Sequence, residues 1–248
     1  MGMTNSGLAS KNFMTKYFIG FLLGTISGIY ILNSIQPNSE NGSALVISPF
    51  VSTNGNVGIG TPTPSPFDFW QKIISEASLS TVAIESFQNG RIQKRASGII
   101  LSSDGLIVTT LDVSAGSFVQ VLYEDKILKG SLVYKDNSAG LLLIKAVGAN
   151  FNVSNIDKVN SYEPGQEYML TGRLANLSKP VIFSQKATVK YILDSRISLD
   201  TNLDKILNGA KAINHRGQMA GITRVVGEDV YLIKSETIDD FYKKFINK

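Results

Sequence analysis

From Thr81 onward, apolar and polar residues alternate with a period of two, and Gly, Asn, Asp, Ser or Pro interrupts the pattern at short intervals. The runs TVAIESF, RASGIILSS, GLIVTTL, SFVQVLY, KILKGSLVYK and AGLLLIKAV form a first group. After a polar stretch from Asn150 to Pro164, QEYMLTG, PVIFSQKATVKYIL, SRISLD, GAKAIN, QMAGITRVV and DVYLIKS form a second. Alternation of this kind marks strands with one buried face. Short strands joined by turn residues, with few helices between them, favour antiparallel closure over a parallel sheet. The pattern therefore predicts an all-β body of two six-stranded antiparallel β-barrels, one over residues 79-147 and one over residues 164-234. Two segments change period. In PFDFWQKIISEAS, Phe67, Trp70, Ile73 and Ile74 fall at helical spacing, which makes Trp70 a core or docking residue. SETIDDFYKKFINK, residues 235-248, reads as a C-terminal helix. Ser235 is placed to cap it, with acids early and lysines late, as the helix dipole favours.

The N-terminal end has a different character. KYFIGFLLGTISGIYILNSI holds no charge over residues 17-35. At about 1.5 Å per residue this reaches nearly 30 Å, roughly one hydrocarbon core. A cleaved signal would have a shorter apolar region and a small-x-small site, and Asn33, Ser34, Ile35 and Gln36 make a poor one. Residues 1-35 are thus expected to be a cytoplasmic lead and an uncleaved transmembrane anchor, with Lys11 and Lys16 on the cytoplasmic side. Gly20, Gly24 and Gly28 share one face of that helix, where two backbones approach closely, so a homodimer contact is expected there. Residues 36-66 are rich in Asn, Ser, Gly, Thr and Pro and end in TPTPSP, the composition of a flexible linker. That leaves residues 67-248 as the folded domain, on the extracytoplasmic side.

Composition then removes several chemistries. The chain has no cysteine, which excludes disulfides, thiol catalysis and cysteine-ligated zinc. With one histidine there is no multi-histidine metal site, and neither metal nor cofactor is expected. The net charge of +4 includes Lys11 and Lys16 in an end without acids, and no dense basic stripe appears, so no nucleic-acid partner is expected.

Four stretches carry a family resemblance. They are SGIILSSDGLIVTT, KGSLVYKDNSAGLLLIK, EPGQEYMLTGR, and AINHRGQMAGI followed by DVYLIKSETIDDF. In this order they resemble the strands of the trypsin-like serine proteases, most closely the bacterial HtrA type, over Ser80 to Phe245. The resemblance implies a catalytic triad between two barrels, and each position can be checked. The family's histidine follows the Val-Thr of its third strand; counted from Val108 and Thr109 that position holds Asp112. Its aspartate precedes the run ending at Lys145; that position holds Gly140, or Ala139 with a shift of one. Its serine precedes the strand written here as AINHRG; that position holds Asn208. All three catalytic residue types are absent. The family's oxyanion hole also uses the N–H of a glycine two residues before the serine, and that residue is Ile206. A β-branched side chain resists the unusual dihedrals of such loops, so this one is expected to have relaxed into ordinary structure. The lone His215 is expected in a hairpin turn, INHRGQ, which on the family fold points away from the cleft.

A serine is a poor nucleophile without an adjacent base. Loss of serine or base costs about 10⁶ in turnover, and an oxyanion hole alone retains roughly 10³ to 10⁴ over water. The resemblance therefore implies a membrane-anchored, catalytically inactive homologue in a bacterial cytoplasmic membrane. It would bind an extended peptide or protein partner along the segment after the nucleophile strand, Ile222, Thr223, Arg224 and Val225. Arg224 would favour acidic partners, and a bulky residue at Gly221 would block them. Two other readings stand beside it. One is an active serine-type endopeptidase with a displaced site; the other is a membrane-tethered dimerising spacer.

Overall fold

The computed structural model describes residues 66–247, except 115, 157–158, 160, 177–178, 195 and 203–204. The anchor, nearly all of the linker and the glycines Gly20, Gly24 and Gly28 lie outside the described residues. Among the described residues no helix is long and apolar enough to cross a membrane.

Helix α1, Pro66–Ser78, leads into the first barrel. Its strands are β1 Thr81–Gln88, β2 Arg91–Ile100, β3 Leu106–Thr109, β4 Phe118–Tyr123, β5 Lys126–Asp136 and β6 Leu141–Ala146. They close in the order β1-β2-β3-β6-β5-β4, and all described pairs are antiparallel. The second barrel holds β7 Glu167–Asn176, β8 Lys179–Leu193, β9 Arg196–Asp200, β10 Lys211–Ile213, β11 Met219–Val226 and β12 Asp229–Lys234. It closes as β10-β11-β12-β9-β8-β7, again antiparallel. The two closed six-stranded barrels are those expected from the alternation.

Alternation sends every second side chain inward. Val82, Ile84, Ile100, Ile107, Val121 and Ile144 fill the first barrel. Tyr168, Leu170, Val189, Ile197 and Leu232 fill the second. Strand β1 departs from simple alternation: residues Thr81 to Ser86 are all buried, because β1 also packs against β7 of the other barrel. Helix α2, Ser235–Ile246, covers the seam. Ile238 and Phe241 pack on Ile99, Val108 and Leu141 from one barrel and on Met219 and Ile222 from the other, and Phe241 stacks on Tyr134 at 5.0 Å. The half-buried Trp70 of α1 packs beside Ile73, Ala77 and Ile213.

The N-terminus of α2 corrects one expectation. The cap residue is Lys234 in extended backbone, with no side-chain cap bond, and Ser235 is the first helical residue. Strand β12 runs directly into the helix, so the backbone turns one residue early. The buried Ser235 hydroxyl then lies 3.5 Å from the Tyr162 hydroxyl instead of over the helix end.

Polar side chains join the barrels where they meet. Ser97 Oγ donates to Arg173 O and accepts from Arg173 N–H, both at 3.0 Å. Thr109 Oγ1 donates to Ser97 O at 2.7 Å, and Thr110 Oγ1 to Thr223 O at 2.8 Å. Thr223 Oγ1 accepts the Ala210 N–H at 3.0 Å and donates to Leu207 O. These bonds tie the loop before β10 to both barrels and so set the floor of the groove between them.

Candidate functional site

An open cleft of about 900 Å³ lies at this junction. Its walls come from Ile92 to Arg95 on β2, Thr110 to Asp112 after β3, Leu174 on β7, Ile206 and Asn208 before β10, and Arg224 to Gly227 at the end of β11. Asp112 and Asn208 thus line one cleft. Gly140 adjoins it through Arg224: a Cβ placed on Gly140 would sit 1.9 Å from Arg224 Nη1. The three positions matched to a triad thus lie in or beside this cleft, and they hold Asp, Gly and Asn.

Each is occupied in a specific way. The Asp112 carboxylate accepts from Lys94 Nζ at 3.0 Å and Lys135 Nζ at 3.4 Å, and it is 70% exposed. The Lys94 hydrogen bond and charge, with smaller help from Lys135, hold its carboxyl below the usual aspartate range. A carboxylate so paired is a weak proton acceptor at neutral pH. Its folded-state pKa is lowered, so the pairing contributes stability above the unfolded pKa and loses it as pH falls through the folded value. The exposure keeps that contribution small. A carboxyl-resolved NMR titration should place the Asp112 midpoint below 3.8, and Lys94→Ala should raise it. A midpoint at or above that value would show that the two lysines do not engage the carboxylate.

Asn208 spends its side chain on the scaffold. Its Oδ1 accepts the Val225 N–H at 2.8 Å, and its backbone carbonyl accepts the Ser97 N–H at 2.8 Å. The preceding residues, Lys205–Leu207, form a single 3-10 turn, so the position matched to the oxyanion glycine, Ile206, lies in ordinary helical backbone. Gly209 then reverses the chain at φ +74° and donates to Thr223 O at 2.9 Å. At the third position, Arg224 fills the space a side chain would need. Just before Gly140, Asp136 Oδ1 accepts from the N–H groups of Ser138 and Ala139 at 2.9 and 3.1 Å, which fixes the turn locally.

The expected peptide-binding segment is only partly at the surface. Ile222 and Thr223 have no exposed surface. The Thr223 N–H donates to Ala210 O at 2.9 Å, and its carbonyl accepts from Gly209 and Thr110. Both residues support the cleft from behind, because β11 lies between β10 and β12 up to Thr223. Arg224 and Val225 do line the cleft, and the accessible edge continues into Val226 and Gly227. Gly221 is likewise structural: a Cβ there would lie 2.0 Å from Ile233 O, so a larger residue pushes on β12 and not on a ligand. His215 sits in an exposed turn, and no described cleft residue is a histidine. The cleft walls supplied by Ile92, Lys94 and Leu174 escaped sequence reasoning, since only barrel closure brings β2 and β7 opposite β11.

Two closed six-stranded antiparallel barrels with a groove at their junction define the trypsin-like fold. Within that class, the chain is similar to HtrA-type serine proteases. No protein-family model matches the chain. It is 25% identical over 150 residues to a putative serine protease, HhoB, of Synechocystis, covering 56% of this chain and 36% of that protein. It is 23% identical over 219 residues to the serine endoprotease DegS of Haemophilus influenzae, covering 85% of this chain and 62% of that one. The chain therefore spans less than two thirds of the length of either curated relative. A solved serine endoprotease from Yersinia pestis superposes with a TM-score of 0.63 at 19% identity, over 76% of this chain and 68% of that one. The fold is thus a trypsin-like, HtrA-type fold.

Proposed function

We propose that this chain is a non-catalytic protein of HtrA-type fold that captures an extended peptide or protein segment in the cleft between its barrels. Residues 17-35 would anchor it in a bacterial cytoplasmic membrane with the barrels outside, and the face of Gly20, Gly24 and Gly28 would pair two copies. The observation that carries the reading is the use already made of the cleft's polar groups. Asn208 is bonded to Val225 N–H, and Asp112 is held by two lysines. The only hydroxyl among the described cleft residues, that of Thr110, donates to the Thr223 carbonyl. No hydroxyl there stands beside a base that could take its proton, and activation of a nucleophile needs that pairing.

Capture needs no such pair. A segment laid beside the end of β11 gains main-chain hydrogen bonds, and side-chain pockets supply the selection. Ile92 and Val226, 42% and 51% exposed, and Leu174 offer apolar surface for an aliphatic residue. The test uses the full-length chain in detergent micelles, incubated with casein and with a serine-reactive phosphonate. We expect no cleavage and no labelled serine, set against the about 10⁶-fold turnover that a serine-base pair supplies. Label on any serine, with casein turned over, would make the chain a working peptidase.

A further inference from the structure

We infer that the cleft selects a carboxylate: its occupant is an extended peptide whose acidic group meets Arg224 and Lys94 beside an aliphatic residue. This rests on the peptide-capture reading above and names the chemistry of what is captured.

The charges around the cleft are unbalanced. Arg95 is neutralised by Glu85 at 2.8 Å. Among the described residues, Lys94, Lys135 and Arg224 remain against the carboxylate of Asp112, which is three positive charges to one negative. Among the described residues no carboxylate pairs with Arg224. Arg224 is half-buried as a residue, and its guanidinium lies over Gly140, which has φ +68° and no side chain to compete for the space. A guanidinium drawn partly out of water without a counter-ion gives up solvation that a ligand carboxylate restores. Its planar fork also matches a carboxylate in two parallel hydrogen bonds. Lys94 stands on the opposite wall, 47% exposed, and its bond to Asp112 is open to water and therefore exchangeable. The apolar rim formed by Ile92, Leu174 and Val226 flanks these cations. The cleft thus offers a cationic site and an aliphatic surface side by side. Acidic groups on the peptide would be drawn in, and basic ones repelled.

The carboxylate comes either from an Asp or Glu side chain or from the chain end, and one experiment separates the two. Labelled peptides of one length would carry Glu, Gln or Lys at the same position beside the same aliphatic residues, each with a free or an amidated C-terminus. Their binding to the full-length chain in detergent micelles is read by fluorescence anisotropy at low and high salt. The Glu peptide should bind about tenfold tighter than its Gln counterpart, the increment of one charge-assisted pair. That advantage should shrink at high salt. It should vanish in Arg224→Gln, and it should vanish likewise in Lys94→Glu, which leaves two positive charges facing two negative ones. Lys94→Glu changes an exposed side chain, so it decides the matter even if Arg224→Gln fails to fold. An advantage that follows the free C-terminus in place of Glu assigns the carboxylate to the chain end and supports the same chemistry. Equal binding of Glu, Gln and Lys peptides whatever their termini overturns the carboxylate inference while leaving capture intact. Absence of binding by every peptide overturns capture itself.

Discussion

Gly209→Ala is expected to destabilise the domain by about 2–5 kcal/mol. Gly209 has φ +74°, in the left-handed region where an L side chain costs about 1–2 kcal/mol. Space is the second penalty. A Cβ there would lie 1.9 Å from the Ser97 carbonyl oxygen and 3.1 Å from Thr109 Oγ1. Neither neighbour yields easily. The Ser97 carbonyl accepts from Thr109 Oγ1, and the Ser97 N–H donates to Asn208 O. Forcing atoms into a packed site of this kind costs about 1–3 kcal/mol. Urea unfolding followed by the fluorescence of Trp70, the only tryptophan, reads the change. A loss below about 1 kcal/mol would mean that the loop before β10 does not press against β2.

Ser97→Ala comes next, at about 2–4 kcal/mol. Ser97 is fully buried, and its hydroxyl serves both the N–H and the carbonyl of Arg173 across the barrel junction. Alanine keeps the backbone but leaves two strand groups of β7 unmet. An unmet buried polar group costs about 1–3 kcal/mol. For a domain of this size each kcal/mol lowers the melting temperature by roughly 2–4 °C, so calorimetry resolves the effect. The bond from the Ser97 N–H to Asn208 O is made by the backbone and survives in alanine, so the loss reads the Arg173 contacts alone. A melting temperature unmoved by the substitution would show that the two barrels are not joined through this hydroxyl.

These two sites also mark the limit of what was legible in the sequence. The twelve strands could be read because alternation is local: each buried face announces itself every second residue. The three triad-matched positions could also be found, since Val108 and Lys145 lie on strands and Asn214 directly follows one, which anchors the count. What surrounds those positions could not be found. Lys94 and Lys135 stand 18 and 23 residues from Asp112, and Arg224 is far along the chain from Gly140. Ile222 and Thr223 match the family's binding segment by alignment, yet they are buried. Ser235 has the right residue type for a cap, yet the helix begins one residue too soon for its hydroxyl to reach the end.

The sequence by itself determined the two sets of six strands, the seam helix and the identities of Asp112, Gly140 and Asn208 at the positions matched to the triad. Periodicity and residue identity are properties of the chain read in order. Tertiary structure alone decided what surrounds them: lysines on Asp112, the Val225 amide on the Asn208 side chain, and the Arg224 guanidinium over Gly140. Those contacts exist because barrel closure and barrel-to-barrel packing bring distant strands to a few ångströms. At that distance charge and hydrogen bonding act, and no local pattern along the chain encodes it.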